Sequence, residues 1–293
     1  MKDLKDRTLS ITLTFFRIFR KKHLSLTKKV SLAFAYVMIV IRRTLHRRIK
    51  NYDNSIVKLL SFSVHVADFE DYFWSFRDVF LEEGYNFKSD NDSPYIIDCG
   101  GNIGISVLYF KWRYPKSKIL VFEPHPENLN LLRKNIEGNN ITSVEIVPVA
   151  LGDRNGSITL YGNKRSATVF EGFFGKKERW NRELVENEVV VPIKVLSEYI
   201  GNTQVDLLKL DVEGSEGMIL KELSDKDKLN LVKRVVAEYH YRASDKNKLS
   251  SIIEVLEDSE FLLAFFSGTR GVSNVVSRDF THLMFTAVPK HLM

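Results

Sequence analysis

From residue 94 onward the chain alternates short apolar runs with amphipathic stretches. "YIIDCG" (95–100), "KILVFEP" (118–124), "VEIVPVAL" (144–151), "DLLKLDVEG" (206–214), "VKRVVAEYH" (232–240), "FLLAFFSG" (261–268) and "THLMFTAV" (281–288) have the length and apolar density of strands. Between them, "NIGISVLYFKWRY" is a helix stopped by Pro115, and "PENLNLLRKNIEGNN" is a helix ending in a Gly/Asn signal. "SEGMILKEL" and residues 246–258 predict two more helices. Such alternation predicts an α/β domain with a mostly parallel sheet covered on both faces. Only a 12-residue link joins the last two strands, which favours an antiparallel finish. "DRNG" followed by "SITLYG" predicts a hairpin, because Asn155-Gly156 suits a type I′ turn. Residues 163–190 read as irregular and charged, and "VVVPIKVLSEYI" leads the chain back toward a helix.

Upstream, residues 51–93 read as a helical connector packed on the catalytic domain. In "DFEDYFWSFRDVFLEEGYNF" the aromatics recur at helical spacing as far as Gly84, as packing residues would. The strongest apolar run of the chain is "VSLAFAYVMIVI" (30–41), and its twelve residues fall well short of the roughly 20 that a spanning helix needs. Lys28-Lys29 and Arg42-Arg43 flank it. It fits either an interfacial helix lying on an anionic leaflet or a helix packed on the main domain. The first apolar run, "LSITLTFF", is followed by "RIFRKK" rather than by a small-residue cleavage site, unlike a secretory signal. Three segments result: a basic helical arm (1–50), the connector (51–93) and an α/β domain (94–293).

Charge sharpens this division. The 293 residues carry a formal charge of +6. Residues 1–50 hold 14 Lys/Arg against 2 Asp/Glu, whereas the rest holds 29 of the 43 basic and 35 of the 37 acidic residues. The protein is therefore a mildly acidic globule with a basic arm suited to an anionic surface. Cys99 is the single cysteine, so no intrachain disulfide forms, and a reducing, cytoplasmic setting fits. It sits in an apolar strand end, where a buried, inert thiol is expected.

The candidate chemistry lies at strand ends, where sheets of this kind bind ligands. The first turn has the spacing D-x-G-x-N-x-G: Asp98, Gly100, Asn102 and Gly104. In the dinucleotide fingerprint a glycine stands where Asp98 stands here. A carboxylate is poorly placed beside a pyrophosphate but well placed beside a cationic or hydroxyl-bearing ligand. S-adenosylmethionine offers an amino group, a ribose diol and a sulfonium, with no phosphate. Gly100 and Gly104 would let the backbone approach that ligand, Gly101 adds freedom, and Asn102 can bond the ligand or cap the helix. Glu123, 25 residues after Asp98 at the tip of the second strand, suits a ribose diol. His125, in "EPHP" at the same rim, reads as an ordinary loop histidine.

A third signal is "LLKLDVEGSE" (207–216). Strand alternation puts Lys209 and Asp211 on one face, and burying that lysine is costly unless a carboxylate pairs with it. Glu213 and Glu216 follow; Glu216 would fall in the first turn of a helix, where it suits the macrodipole. Glu238 and His240 in "AEYH" add an acid and a proton carrier at the next strand end.

"DCGGNIG", "FEP", "VALGDRNGSITL" and "LLKLDVEGSE", in this order and spacing, resemble the FkbM-type S-adenosylmethionine-dependent methyltransferases. The resemblance spans about residues 60–290, is strongest in "KLDVEGSE" and does not cover residues 1–50. It implies a Rossmann-like class I methyltransferase sheet of seven strands with an antiparallel last strand, and methylation of hydroxyl groups, often on sugars or glycosylated natural products. It implies Asp98, Gly100, Gly101, Asn102 and Gly104 at the cofactor turn, Glu123 on the ribose, and Asp211 and Glu213 near the transferred methyl. Where many members have "GAN", this chain has "GGN".

An aliphatic hydroxyl is a poor nucleophile, so a base within hydrogen-bond reach is useful. The candidates, in order, are Asp211, Glu213 and His240. Clustered acids could instead hold a divalent cation that acidifies the hydroxyl, although no metal ligand is assigned. Residues 163–190, with Ser166 and Thr168, would cover the acceptor, a small molecule or glycan. Three other functions compete: a nicotinamide-dependent oxidoreductase on the same sheet, an RNA methyltransferase using the basic arm, and a non-catalytic membrane-associated binding module. Asp98 and the lack of a Tyr-x-x-x-Lys pair speak against the first. The acidic catalytic part, and an arm whose charge flanks an apolar run, speak against nucleic acid.

Overall fold

The computed structural model describes residues 12–49, 52–163, 166–170, 187–242, 249–266 and 280–292, with backbone only at 161–163, 166–170, 187, 240–242 and 280–282. The chain divides into two compact units, Met1–Glu83 and Gly84–Met293.

The first unit opens with a helical segment over 12–20. Helix α1 (Leu26–Arg48) follows, capped by the Ser25 hydroxyl, which accepts from the Lys28 amide, and closed by His46, Arg47 and Arg48 at its negative end. Its buried side chains are Leu32, Ala33, Ala35, Tyr36 and Ile39. The connector is not helical throughout, as its aromatics had implied. Strands β1 (Ile56–Leu59) and β2 (Phe62–His65) pair antiparallel, with Leu60 at φ 57° in the turn. Their alternating pattern, with Val57, Leu59 and Val64 inward, has the two-residue period of a strand. Only then comes helix α2 (Phe69–Phe76), capped by Asp68, which accepts from the amides of Glu70 and Asp71. Arg43 and Arg47 of α1 converge on Glu70, and the Arg43 guanidinium lies 3.7 Å from the centre of the Phe73 ring. Part of the arm's charge is thus met inside its own unit. Residues 84–93 belong with the second unit: the Tyr114 hydroxyl donates to the carbonyl of Phe87, whose ring packs on Phe110.

The second unit is built on a seven-stranded sheet in the order β12-β13-β11-β10-β3-β4-β5. The strands are β3 (Tyr95–Cys99), β4 (Lys118–Phe122), β5 (Val144–Val147), β10 (Leu207–Leu210), β11 (Val235–Arg242), β12 (Phe261–Phe266) and β13 (Phe280–Pro289). All neighbouring pairs are parallel except those made by β13, which runs antiparallel to both β11 and β12. The expected mostly parallel sheet with an antiparallel last strand is therefore present. Its strands are apolar on both faces because helices cover both. On one side, Ile219, Leu220 and Leu223 of α6 (Glu216–Asp225) and Ile252 and Leu256 of α7 (Leu249–Asp258) join Ile97, Cys99, Leu120, Phe122, Leu208 and Leu210 in one core. Asp98, Val121 and Lys209 point to the other side, where α3 (Ile105–Arg113) and α4 (Pro126–Glu137) lie.

A second, four-stranded sheet corrects three expectations. The run 144–151 breaks at Pro148, which has no amide to donate. Its first half is β5 in the large sheet, and its second is β6 (Ala150–Gly152) in the small one. The order there is β6-β9-β7-β8, with β7 (Gly156–Asn163), β8 (Ser166–Phe170) and β9 (Asn187–Val195). No hairpin joins β6 to β7, because β9 inserts between them. Asn155 accepts from the Val195 amide and donates to Glu198, which ties the loop to the end of β9 instead of turning it back. "VVVPIKV" is strand rather than helix approach, as its β-branched residues favour, and only Ser197–Ile200 forms helix (α5). Ser166 and Thr168 lie on β8, whose side chains fall outside the description, as do residues 171–186.

Leu208 is fully buried at the centre of the large sheet. Leu208→Ala should destabilise the protein by about 2–5 kcal/mol. Val190→Ala, at a residue 70% exposed, should change stability by less than ~0.5 kcal/mol. Urea unfolding of the two variants checks both.

Candidate functional site

At the carboxyl end of β3 the chain leaves the sheet between β4, the next strand in sequence, and β10, which arrives later from the other side. Such a reversal of strand order opens a crevice. Here it is a cleft open to solvent at the strand ends, where sheets of this kind bind nucleoside-bearing ligands. Gly100, Asn102, Glu123, Asp211 and Glu213 form its polar wall, and Val149, Leu151, Ile158 and Leu160 bring an apolar wall from the small sheet.

Gly100 takes φ +96°, and a Cβ there would lie 1.9 Å from the carbonyl oxygen of Asp211. The turn can pass the exit of β10 only because that atom is missing. Gly101 and Gly104 are also confined by packing. A Cβ on Gly101 would meet Val121 at 2.3 Å, and one on Gly104 would meet Leu132 at 2.8 Å. Asn102 (φ 48°) bonds the amide of Ile103 through its own side chain, which stabilises the left-handed turn before α3.

Parallel register sets Lys209 beside Asp98 on the same face of the sheet. The ammonium lies 2.8 Å from Asp98 Oδ1, an ion pair, and donates to the Gly100 carbonyl at 2.8 Å. Asp211 Oδ2 is 3.6 Å away. The second Asp98 oxygen accepts from the Ser106 hydroxyl of α3 at 2.6 Å. Burial works against the charge on Lys209, but the Asp98 and Asp211 carboxylates outweigh it and raise its pKa above the ordinary lysine value. Asp98 therefore stands behind the turn, not on the cleft wall. Its ion pair with Lys209 holds the turn in place. The neighbouring Cys99 is buried, and burial, with the Asp98 charge, pushes its thiol well up.

Tyr85 carries no signal in the sequence, because its partner is 126 residues away. Its hydroxyl donates to Asp211 Oδ2 at 2.8 Å, and its ring faces the Lys209 ammonium at 4.9 Å. Burial, followed by the Asp211 and Glu238 carboxylates, raises the phenol well above its usual pKa, so it stays a donor.

Glu123 extends from the end of β4. One oxygen accepts from the Asn102 amide at 2.7 Å, the other from the His125 amide at 2.8 Å. Burial pushes its carboxyl up to about 7, against the backbone bonds that lower it. The Asn128 side chain also bonds this carboxyl, so of a carboxylate's roughly four acceptor sites about one remains for a ligand. Asn128 Oδ1, on the same wall, is buried without a protein partner.

Glu213 (φ 56°) and Gly214 (φ 111°) make the turn after β10. Glu216 does more than meet the macrodipole: its Oε1 accepts from the Gly214 amide at 3.1 Å and the Val212 amide at 3.4 Å, which closes that turn. Glu238 lies on β11 opposite Met284, and His240 opposite His282, at a position whose side chain falls outside the description. Among the described residues no three His, Cys, Asp or Glu side chains gather as a metal site.

The sheet order and the cleft define a Rossmann-like protein that accommodates a nucleoside-bearing cofactor. The profile of the methyltransferase FkbM domain matches residues 98–269. Methyltransferase 1 of Beauveria bassiana is 30% identical over 203 residues, 64% of this chain and 80% of that protein. The 2-O-methyltransferase NoeI of Sinorhizobium fredii is 25% identical over 195 residues, 62% and 79% of the two chains. The 31-O-demethyl-FK506 methyltransferase FkbM of Streptomyces tacrolimicus is 26% identical over 195 residues, 56% and 73%. The chain belongs to the methyltransferase FkbM family, and its methyl donor is S-adenosylmethionine. The cleft fits that donor: the backbone is bare at Gly100, Glu123 keeps an acceptor site for a ribose hydroxyl, and no cationic side chain among the described residues lines the wall to repel a sulfonium.

Lys209→Met would leave Asp98 buried without its cation and should destabilise the fold by about 3–5 kcal/mol. Tyr85→Phe removes one hydrogen bond and should cost about 1 kcal/mol or less. Chemical denaturation distinguishes them; equal losses would show that Lys209 does not organise the turn.

Proposed function

We propose that the protein transfers a methyl group to a hydroxyl oxygen, that of a sugar, glycan or glycosylated metabolite. The observation that carries this proposal is the pair of carboxylates, Asp211 and Glu213, at the wall of the cofactor cleft. Two relatives whose names specify oxygen methylation support it.

When bound, S-adenosylmethionine supplies an electrophilic methyl group on a sulfonium. Glu123 accepts a hydrogen bond from a ribose hydroxyl. Gly100 and Asn102 present backbone to the same ligand. The acceptor hydroxyl gives up its proton to a base, with Asp211 the first candidate, Glu213 the second and His240 the third. Tyr85 and Lys209 hold Asp211 from behind, which fixes its direction. A base placed in this way contributes roughly 10²–10⁴ in rate, and fixing the acceptor against the donor contributes more.

Asp211→Asn should lower turnover by about 10²-fold or more and leave the affinity for S-adenosylhomocysteine within a few-fold. Assays with the labelled methyl donor and a panel of sugar acceptors test this. Label recovered on nitrogen, or turnover unaffected by the substitution, would remove the proposal.

Glu123 gives a pH dependence. Its carboxyl is raised to about 7 in the free protein, and a bound diol favours the ionised form. Affinity for S-adenosylhomocysteine should therefore rise as pH increases, by about tenfold between pH ~6 and ~8, since one pKa unit is a factor of ten. In the free protein the sign is opposite. A raised carboxyl stabilises the fold at low pH, and that contribution is lost as pH rises from about 4.5 through 7. Glu123→Gln should bind more weakly, with a flat profile in calorimetric titration.

A further inference from the structure

Helix α1 is apolar on two opposite faces. One carries Leu32, Ala35, Tyr36 and Ile39 and is buried. The other carries Leu26, Val30, Phe34, Met38 and Ile41, spaced by four, four, four and three residues, and it is exposed: Leu26 at 68%, Phe34 at 67%. Five large apolar side chains thus form one stripe in water, about 22 Å long at 1.5 Å per residue. The helical segment before it adds Leu13, Phe16 and Phe19, also exposed, with the Arg20 guanidinium 5.2 Å from the centre of the Phe16 ring. Among the described residues, nine of the fifteen exposed large hydrophobics fall within 13–49. A soluble surface does not concentrate them in this way without a partner.

Charge identifies the partner. Residues 12–49 contain ten Lys or Arg and no Asp or Glu. Lys28 and Lys29 stand at the start of the stripe and Arg48 at its end, beside Arg47, which is shared with Glu70, and Arg42, which bonds Asn54 and the Asp53 carbonyl. No helix among the described residues is long and apolar enough to cross a membrane. We propose that this face of the first unit docks on an anionic lipid bilayer, with α1 lying in the interface. The stripe then enters the acyl boundary while the cations at its ends meet lipid phosphates and carboxylates. A second copy of the chain would bring cationic ends together. A nucleic acid would meet the charges but leave the aliphatic side chains in water.

The test is co-sedimentation of the full-length protein with phosphatidylcholine vesicles, with and without phosphatidylserine. Binding should be at least about tenfold tighter to the anionic vesicles, given about 1 kcal/mol per basic residue at the surface, and should weaken with salt. Phe34→Glu/Met38→Glu should abolish it while S-adenosylhomocysteine affinity stays unchanged. Phe34→Trp keeps the surface apolar and reports directly: lipids brominated on their acyl chains should quench it. Equal binding to both vesicle types, no quenching, or binding that survives the double substitution would each overturn the proposal. So would light scattering showing that the stripe holds two copies of the chain together with no vesicle binding.

Discussion

One buried cation organises the cofactor end of the large sheet. Lys209 joins the exits of two adjacent parallel strands through the Asp98 carboxylate and the Gly100 carbonyl, and it stands next to Asp211. A lysine 1% exposed is tolerated only because these partners replace its water. In return, the turn that begins at Gly100 has one position relative to β10. The close approach of Gly100 to the Asp211 carbonyl, which no other residue would permit, follows from that position. Tyr85 completes the arrangement by covering the ammonium with its ring and bonding Asp211 with its hydroxyl.

The rest of the cleft is assembled around this fixed corner. Glu123 is held by two backbone amides, so its carboxylate meets a ligand without needing to reorganise. Such preorganisation is what makes electrostatic contacts effective in a confined site. The small sheet supplies the opposite, apolar wall, and Ser215 ties the turn after β10 to it through the Leu151 carbonyl. Polar groups that recognise and apolar groups that exclude water therefore come from two different sheets.

The first unit follows a different principle. Its hairpin and helices form a small core of Val57, Leu59, Val64 and aromatic side chains, and Glu70, Glu82 and Glu83 pair with Arg17, Lys21, Arg43 and Arg47. What is left over is the outward apolar stripe of α1, with basic residues at both of its ends. The twelve-residue run "VSLAFAYVMIVI" thus divides between two surroundings, since a helix presents successive residues to all sides.

By itself the sequence determined the alternation of strands and helices, the parallel sheet with its antiparallel last strand, and the turn and strand tips that carry Asp98, Gly100, Glu123, Asp211 and Glu213. These are legible because apolar periodicity and glycine spacing are local properties of the chain. It did not determine which of these residues face the ligand. Asp98 and Asp211 are equally conspicuous acids at neighbouring strand ends, yet strand register puts one behind the turn with Lys209 and the other on the cleft wall. Tyr85 has no local signature, since its role exists only where residues 126 positions apart meet. The break at Pro148, the insertion of β9 between β6 and β7, and the hairpin at 56–65 were likewise decided by pairing between distant or alternative segments. Strand pairing is a contest among partners across the whole chain, and only the folded structure shows which of them won.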